Sequence, residues 1–200
     1  MTDPAFAGPW ITARGLGFAY GARPVLDGVE FELRAGRHYI IAGPNGAGKS
    51  TIIECILGTK KADSGNVSIL GMDPKKCRKQ LFQTVGVQFQ EAHYQEKITV
   101  GELCAVNASL YENAADHHSL LRQFGIENKS KSFVNELSGG ERQRLFIVLA
   151  LIPSPEVVFL DELTTGLDAK ARRGVWKSLA ELKAKGLTIF LTSHFMDEVE

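Results

Sequence analysis

The sequence predicts an α/β fold: a mostly parallel core sheet, a smaller N-terminal antiparallel sheet and an inserted helical lobe. Three observations carry that reading. Short apolar runs from His38 to Gly43, Glu156 to Glu162 and Leu187 to His194 read as buried strands, and they alternate with helical patterns. Near the start, Val29, Phe31 and Leu33 alternate with Glu30, Glu32 and Arg34, the period of a strand with one wet face. From about Glu91 to Leu137 the spacing turns helical, with turn residues at Gly125 and Asn128.

Taken in order, Trp10 to Phe18 pairs nearby. The run from His38 feeds a glycine-rich loop, after which a helix starting near Gly48 carries Ile52, Ile53, Ile56 and Leu57 until Gly58 stops it. Asn66 to Leu70 and Thr84 to Phe89 read as further strands. Asp168 caps a helix whose apolar positions Ala171, Val175, Leu179 and Leu182 keep helical spacing. The expectation is one domain over residues 1–200, with residues 91–137 as the helical insert.

Bulk properties narrow the function classes. With 23 basic and 23 acidic residues the net charge is zero, which argues against a nucleic-acid footprint. Lys75, Lys76, Arg78 and Lys79 read as a solvated face. Three scattered cysteines, Cys55, Cys77 and Cys104, form no metal-ligand spacing and suit free thiols in a reducing compartment, with Cys55 in the core. The start MTDPAFAGPW lacks the pattern of a signal peptide. The longest apolar run, Leu145 to Ile152, is far short of the about 20 residues that span a bilayer. A cytoplasmic chain is expected, reaching a membrane only through a partner.

Chemistry enters at Gly43, Pro44, Asn45, Gly46, Ala47, Gly48, Lys49 and Ser50, which fit G-x-x-x-x-G-K-[ST] between a strand and a helix. Glycines let the backbone wrap phosphates with N–H groups inward, and the helix start, through Thr51, adds the positive end of its dipole. Lys49 is expected to reach the β- and γ-phosphates and Ser50 to place its hydroxyl on Mg²⁺. Downstream, Asp161 and Glu162 end a buried strand, at the crevice where parallel sheets bind ligands. Asp161 is placed to hold Mg²⁺, and Glu162 to polarise a water for in-line attack on the γ-phosphate.

Leu137-Ser-Gly-Gly-Glu-Arg-Gln-Arg-Leu145, shortly before that acidic strand, resembles the signature of the ABC (ATP-binding cassette) ATPases. Other matches follow in order. Tyr20 resembles the aromatic that stacks on adenine, and Gln90 the glutamine that senses Mg²⁺ and the γ-phosphate. Gln88, on the same face of the same strand, competes for that role, and the spacing after Gly86 in the family pattern favours Gln90. Thr164-Thr-Gly-Leu-Asp168 resembles the D-loop and His194 the switch histidine. The resemblance covers nearly the whole chain. It implies a P-loop ATPase that binds ATP with Mg²⁺, with Ser138, Gly139 and Gly140 presented before a helix beginning near Glu141. It also implies a head-to-tail pair in which each ATP lies between the Lys49 loop of one chain and Ser138 of the other.

The same resemblance implies a transmembrane permease as partner, met by the segment after Gln90, with SHFMDEVE leaning towards exporters. The alternative is a soluble ABC ATPase of DNA repair or translation. Repair members usually insert a long coiled coil or zinc module, for which Gln90 to Leu137 is too short and too poor in cysteine. Translation members usually carry two cassettes, and this chain has one. Two departures stand out. Leu163 replaces the usual proline after the acidic pair, so a looser turn is expected. The chain also ends six residues after His194, where the family commonly continues, so either a C-terminal end cut short, with an exposed sheet edge, or a minimal domain is expected.

Overall fold

A computed structural model describes residues 10–88, 97–163 and 167–193. Strands β1 (Ile11–Tyr20), β2 (Arg23–Leu33) and β4 (Ser64–Ile69) form an antiparallel sheet in the order β2-β1-β4. A parallel sheet in the order β3-β7-β6-β5 is built from β3 (His38–Ala42), β5 (Val85–Gln88), β6 (Val157–Leu160) and β7 (Thr188–Ser193). The α/β architecture with a small antiparallel lobe is thus as the sequence predicts.

β2 starts six residues before Val29, where the alternation begins. Asp27-Gly28 reads locally as a turn, yet Leu16 pairs Val29 and Phe18 pairs Leu26, so Asp27 and Gly28 together oppose Gly17. This is a β-bulge, and Gly28 takes the left-handed φ of 57° that such a bulge assigns to glycine. The strand bends there and continues to Arg23.

Both faces of the parallel sheet are covered, which is why its strands are continuously apolar. Along β6, Val157 and Phe159 face the antiparallel lobe and helix α1 (Lys49–Ile56), together with Phe190, Ile53 and Leu16. Val158 and Leu160 face the opposite cluster, with Ile189, Leu191, helix α5 (Gly139–Leu151) and Val175 and Leu179 of helix α6 (Ala169–Ala184). Cys55 and Cys104 are buried, and Cys77 is partly exposed. Burial pushes the Cys104 thiol up to about 12, so it is an inert core group.

β5 packs tightly on α5. A Cβ at Gly86 would lie 1.9 Å from the Ala150 carbonyl oxygen, a distance only glycine tolerates. The described part of the lobe contains α3 (Val100–Ala108), α4 (His117–Gln123) and two 3-10 turns (Glu127–Lys129 and Val134–Glu136). Thr99 and Glu102 cap α3 reciprocally and Asp116 caps α4, so each start satisfies its own free N–H groups. Of the basic cluster, Arg78 and Lys79 lie on the four-residue helix α2 (Arg78–Leu81) and Lys75 and Lys76 precede it, all exposed as expected of a solvated face.

Candidate nucleotide site

The loop after β3 is shaped by two left-handed glycines, Gly46 with φ 81° and Gly48 with φ 89°. Gly43 N–H donates to Ser193 O at 3.3 Å, which ties the loop to the end of β7, and Ala47 N–H donates to Pro44 O at 3.2 Å. Gly48 is the N-cap of α1, so no side chain caps that helix, and its first turn holds no acidic residue. Helices α3, α4 and α5, by contrast, are each capped by their own Thr99, Asp116 or Ser138. The first N–H groups of α1 are therefore left for an external anion. Gly48 is also required sterically: a Cβ there would meet Val25 Cγ1 at 2.9 Å.

Tyr20, Arg23, Val25 and Glu162, with Asn45, Gly46 and Gly48 to Thr51 of the loop and helix start, line a cleft of about 560 Å³. Lys49 is 5% exposed, and its ammonium donates to Gly43 O at 2.9 Å and Pro44 O at 3.0 Å. It lies 3.9 Å from Glu162 Oε1. Tyr20 is 54% exposed and meets Phe18 edge-to-face at 4.9 Å. Lys60 donates to the Tyr20 phenol oxygen and pairs with Glu54 at 2.6 Å. That donated bond holds the phenol below its ordinary range, and the bond to Glu54 holds Lys60 above its own.

Asp161 is 4% exposed at the end of β6, and its N–H donates to Gln88 O at 3.1 Å. Glu162 turns into the left-handed region with φ 51°, unfavourable for a residue with a Cβ by about 1 kcal/mol. Its N–H donates to Thr192 Oγ1 at 2.9 Å, and the same hydroxyl donates to Asp161 Oδ1 at 2.5 Å. Among the described residues no cluster of three or more His, Cys, Asp or Glu could hold a metal. Mg²⁺ takes few protein oxygens and completes its shell with phosphate and water. Ser50 and Asp161 have the hard oxygens such an ion needs.

Ser138, Gly139 and Gly140 do not line the cleft. Ser138 is the N-cap of α5, so the helix begins at Gly139, two residues before the expected Glu141. The reason is a capping box: Glu141 N–H donates to Ser138 Oγ, while Ser138 N–H and Oγ donate to Glu141 Oε2, both at 2.9 Å. Those bonds, with Lys129 at 3.1 Å, pull the Glu141 carboxyl down to about 2. Asp168 caps α6 as read from the sequence, its Oδ1 accepting from Ala171 N–H at 2.8 Å.

Gln90, His194 and the D-loop residues Thr164, Thr165 and Gly166 lie outside the described residues, whereas Leu163 is a core residue, 1% exposed. Sequence reasoning missed Arg23 and Val25 as walls, Lys60 and Glu54 as the support of Tyr20, and Thr192 as the link between the two acids. No local signal marks them, because each depends on strand register or on a contact across elements.

The ABC transporter family model matches residues 26–165. The Nod factor export ATP-binding protein I of Rhizobium meliloti (strain 1021) is 40% identical over 187 residues, covering 91% of this chain and 56% of that protein. Its counterpart in Burkholderia lata is 39% identical over 186 residues, covering 90% of this chain and 61% of that protein. The chain thus spans about three fifths of the length of these curated relatives. Among solved structures, an ATP-binding subunit of an ABC transporter superposes with a TM-score of 0.84 at 28% identity, covering 95% of this chain and 81% of that one. A part of an ABC transporter complex from Clostridium perfringens gives 0.80 at 26% identity, covering 95% and 80%. With the phosphate loop, the acidic strand end and the capped signature helix in place on this fold, the chain belongs to the ABC transporter family of ATP-binding domains.

Proposed function

We propose that this chain binds and hydrolyses ATP as one half of a head-to-tail pair, the motor of a membrane transporter. One observation carries the reading. The chain presents two separate glycine-flanked helix starts, the Lys49 loop inside the cleft and Ser138-Gly139-Gly140 outside it. A second copy can bring its Ser138 end over the open cleft of the first, so that each ATP touches both chains. The Ser138 cap takes up the Glu141 N–H alone and leaves the Gly139 and Gly140 N–H groups to face the partner's nucleotide, and the Glu141 charge at that helix start is offset by Lys129.

In this assembly Tyr20 stacks on adenine, and Asn45 to Thr51 wrap the phosphates with backbone N–H groups. Lys49 exchanges its bonds to Gly43 O and Pro44 O for the β- and γ-phosphate oxygens. Ser50, Asp161 and Gln90 would hold Mg²⁺, which when bound would neutralise charge on those phosphates. Glu162 accepts a proton from the attacking water as it approaches in line, His194 contacts the γ-phosphate, and Asp168 follows the D-loop towards the partner.

The load is a multi-span permease docking on the lobe after Gln90, which would hold the chain at the cytoplasmic face of a membrane. Among the described residues no helix is long and apolar enough to cross a membrane. The relatives' names support export as the direction. Co-expression with a multi-span protein encoded beside it is expected to move the chain to the membrane fraction. Recovery as soluble protein in its presence would remove the transporter reading and leave the ATPase reading.

Pairing is tested by complementation. Ser138→Arg keeps ATP binding by the monomer and loses hydrolysis, as does any chain lacking the partner's half-site. Mixing it with Lys49→Ala chains builds one intact site per heterodimer, and part of the wild-type activity returns. Absence of recovery where wild type is active would mean that each chain works alone.

A further inference from the structure

We propose that Thr192 is a positioning residue that aims the Asp161 carboxylate at Mg²⁺ and locks the two acids of the site to one strand end. The inference rests on the reading of Asp161 as a metal-holding residue. It begins from register. Phe159 pairs Phe190 and Leu160 pairs Leu191 across β6 and β7, so one step further Asp161 stands opposite Thr192. Alternation puts both on the α1 side of the sheet, with Val157, Phe159 and Phe190. At that place Thr192 is 1% exposed.

The direction of each bond is forced. A hydroxyl has one proton and two lone pairs. Glu162 N–H can only donate, so at 2.9 Å Thr192 Oγ1 accepts there. Its single proton therefore goes to Asp161 Oδ1 at 2.5 Å. Oδ1 is fixed as an acceptor by Thr192, the Asp161 backbone is anchored by its N–H at Gln88 O, and Oδ2 is thereby left as the oxygen for a cation. The same hydroxyl secures the left-handed turn of Glu162, whose φ of 51° needs an external restraint. One side chain thus sets the metal-holding acid and the water-polarising acid relative to each other.

Valine keeps the shape of threonine and removes both bonds. In the full chain, ATP binding is measured by calorimetry in EDTA and across a Mg²⁺ series. Thr192→Val is expected to bind ATP in EDTA as wild type does, while the Mg²⁺ concentration for half-maximal tightening rises about tenfold to a hundredfold. Thr192→Ser keeps the hydroxyl and is expected to restore the wild-type midpoint. If Thr192→Val does not fold, Thr192→Ala removes the same hydroxyl without a branched replacement and carries the test. An unchanged Mg²⁺ midpoint, an equal loss in EDTA, or failure of Thr192→Ser to restore would each overturn the proposal. Asp161→Asn separates the two levels. If it abolishes the Mg²⁺ dependence while Thr192→Val does not, the reading of Asp161 stands and the role of Thr192 falls. If it leaves the dependence intact, both fall.

Discussion

Lys49→Ala is expected to abolish measurable ATP binding or hydrolysis. The ammonium sits 5% exposed inside its own loop, held by Gly43 O and Pro44 O at 2.9 and 3.0 Å and 3.9 Å from Glu162. Those carbonyls satisfy two of its three donors without cancelling its charge, so the cation is poised where the β- and γ-phosphates arrive. Hydrogen bonds between charged groups contribute about 1.5 to 3 kcal/mol each. Losing contacts to two phosphates therefore weakens binding by about a hundredfold or more, since about 1.4 kcal/mol is a factor of ten. The fold is expected to survive, because α1 is anchored by Ile52, Ile53 and Ile56 rather than by Lys49. Calorimetric titration with Mg·ATP measures the loss, and circular dichroism verifies that the helix content is kept. Wild-type affinity in a folded Lys49→Ala protein would refute the assignment of the phosphate loop.

Why this loop was readable from sequence, and other parts of the site were not, follows from the range of the interactions. Gly46 and Gly48 need positive φ wherever the rest of the chain lies, so the loop is written into eight consecutive residues. Asp168 is equally local, since its cap reaches only three residues to Ala171. Apolar runs reveal β6 and β7 because both faces of each are covered. Thr192 is different. It lies 31 residues from Asp161, and nothing in LTIFLTSH says that β7 stands beside β6 in the register that joins them. The support of Tyr20 by Lys60 spans 40 residues and two elements and is invisible for the same reason.

Tertiary pairing also decides how local chemistry is used. Asp27-Gly28 carries the chemistry of a turn and serves instead as a bulge, because β1 continues past it and supplies partners on the far side. At the signature, the helix begins at Gly139 rather than nearer Glu141 because a capping box forms there. Ser138 and Glu141 are three apart, the spacing that places the serine at the cap and the glutamate at the third helical position. Gly86 shows a third kind of opacity. Its necessity comes from the Ala150 carbonyl, 64 positions later, and no pattern around Gly86 betrays it.

The second large effect separates holding ATP from cleaving it. In Glu162→Gln the side chain keeps its size, and the backbone N–H bond to Thr192 at 2.9 Å does not depend on the carboxylate. The left-handed turn and the position of Asp161 should therefore persist. What disappears is a base able to take the proton of the attacking water, a contribution of about a hundredfold to ten-thousandfold in rate. Lys49 also loses a carboxylate 3.9 Å away, which removes a competitor for its charge and leaves the phosphates favoured. Mg·ATP is thus bound with wild-type affinity or better and is not consumed. If each ATP joins two chains, an ATP that persists keeps them joined, so the variant accumulates as a dimer in Mg·ATP and returns to monomer when nucleotide is removed. Light scattering reads the mass, and phosphate release reads the rate. Turnover within a few-fold of wild type would take the base role from Glu162. Slow turnover in a protein that stays monomeric in saturating ATP would keep that role and reject the shared site.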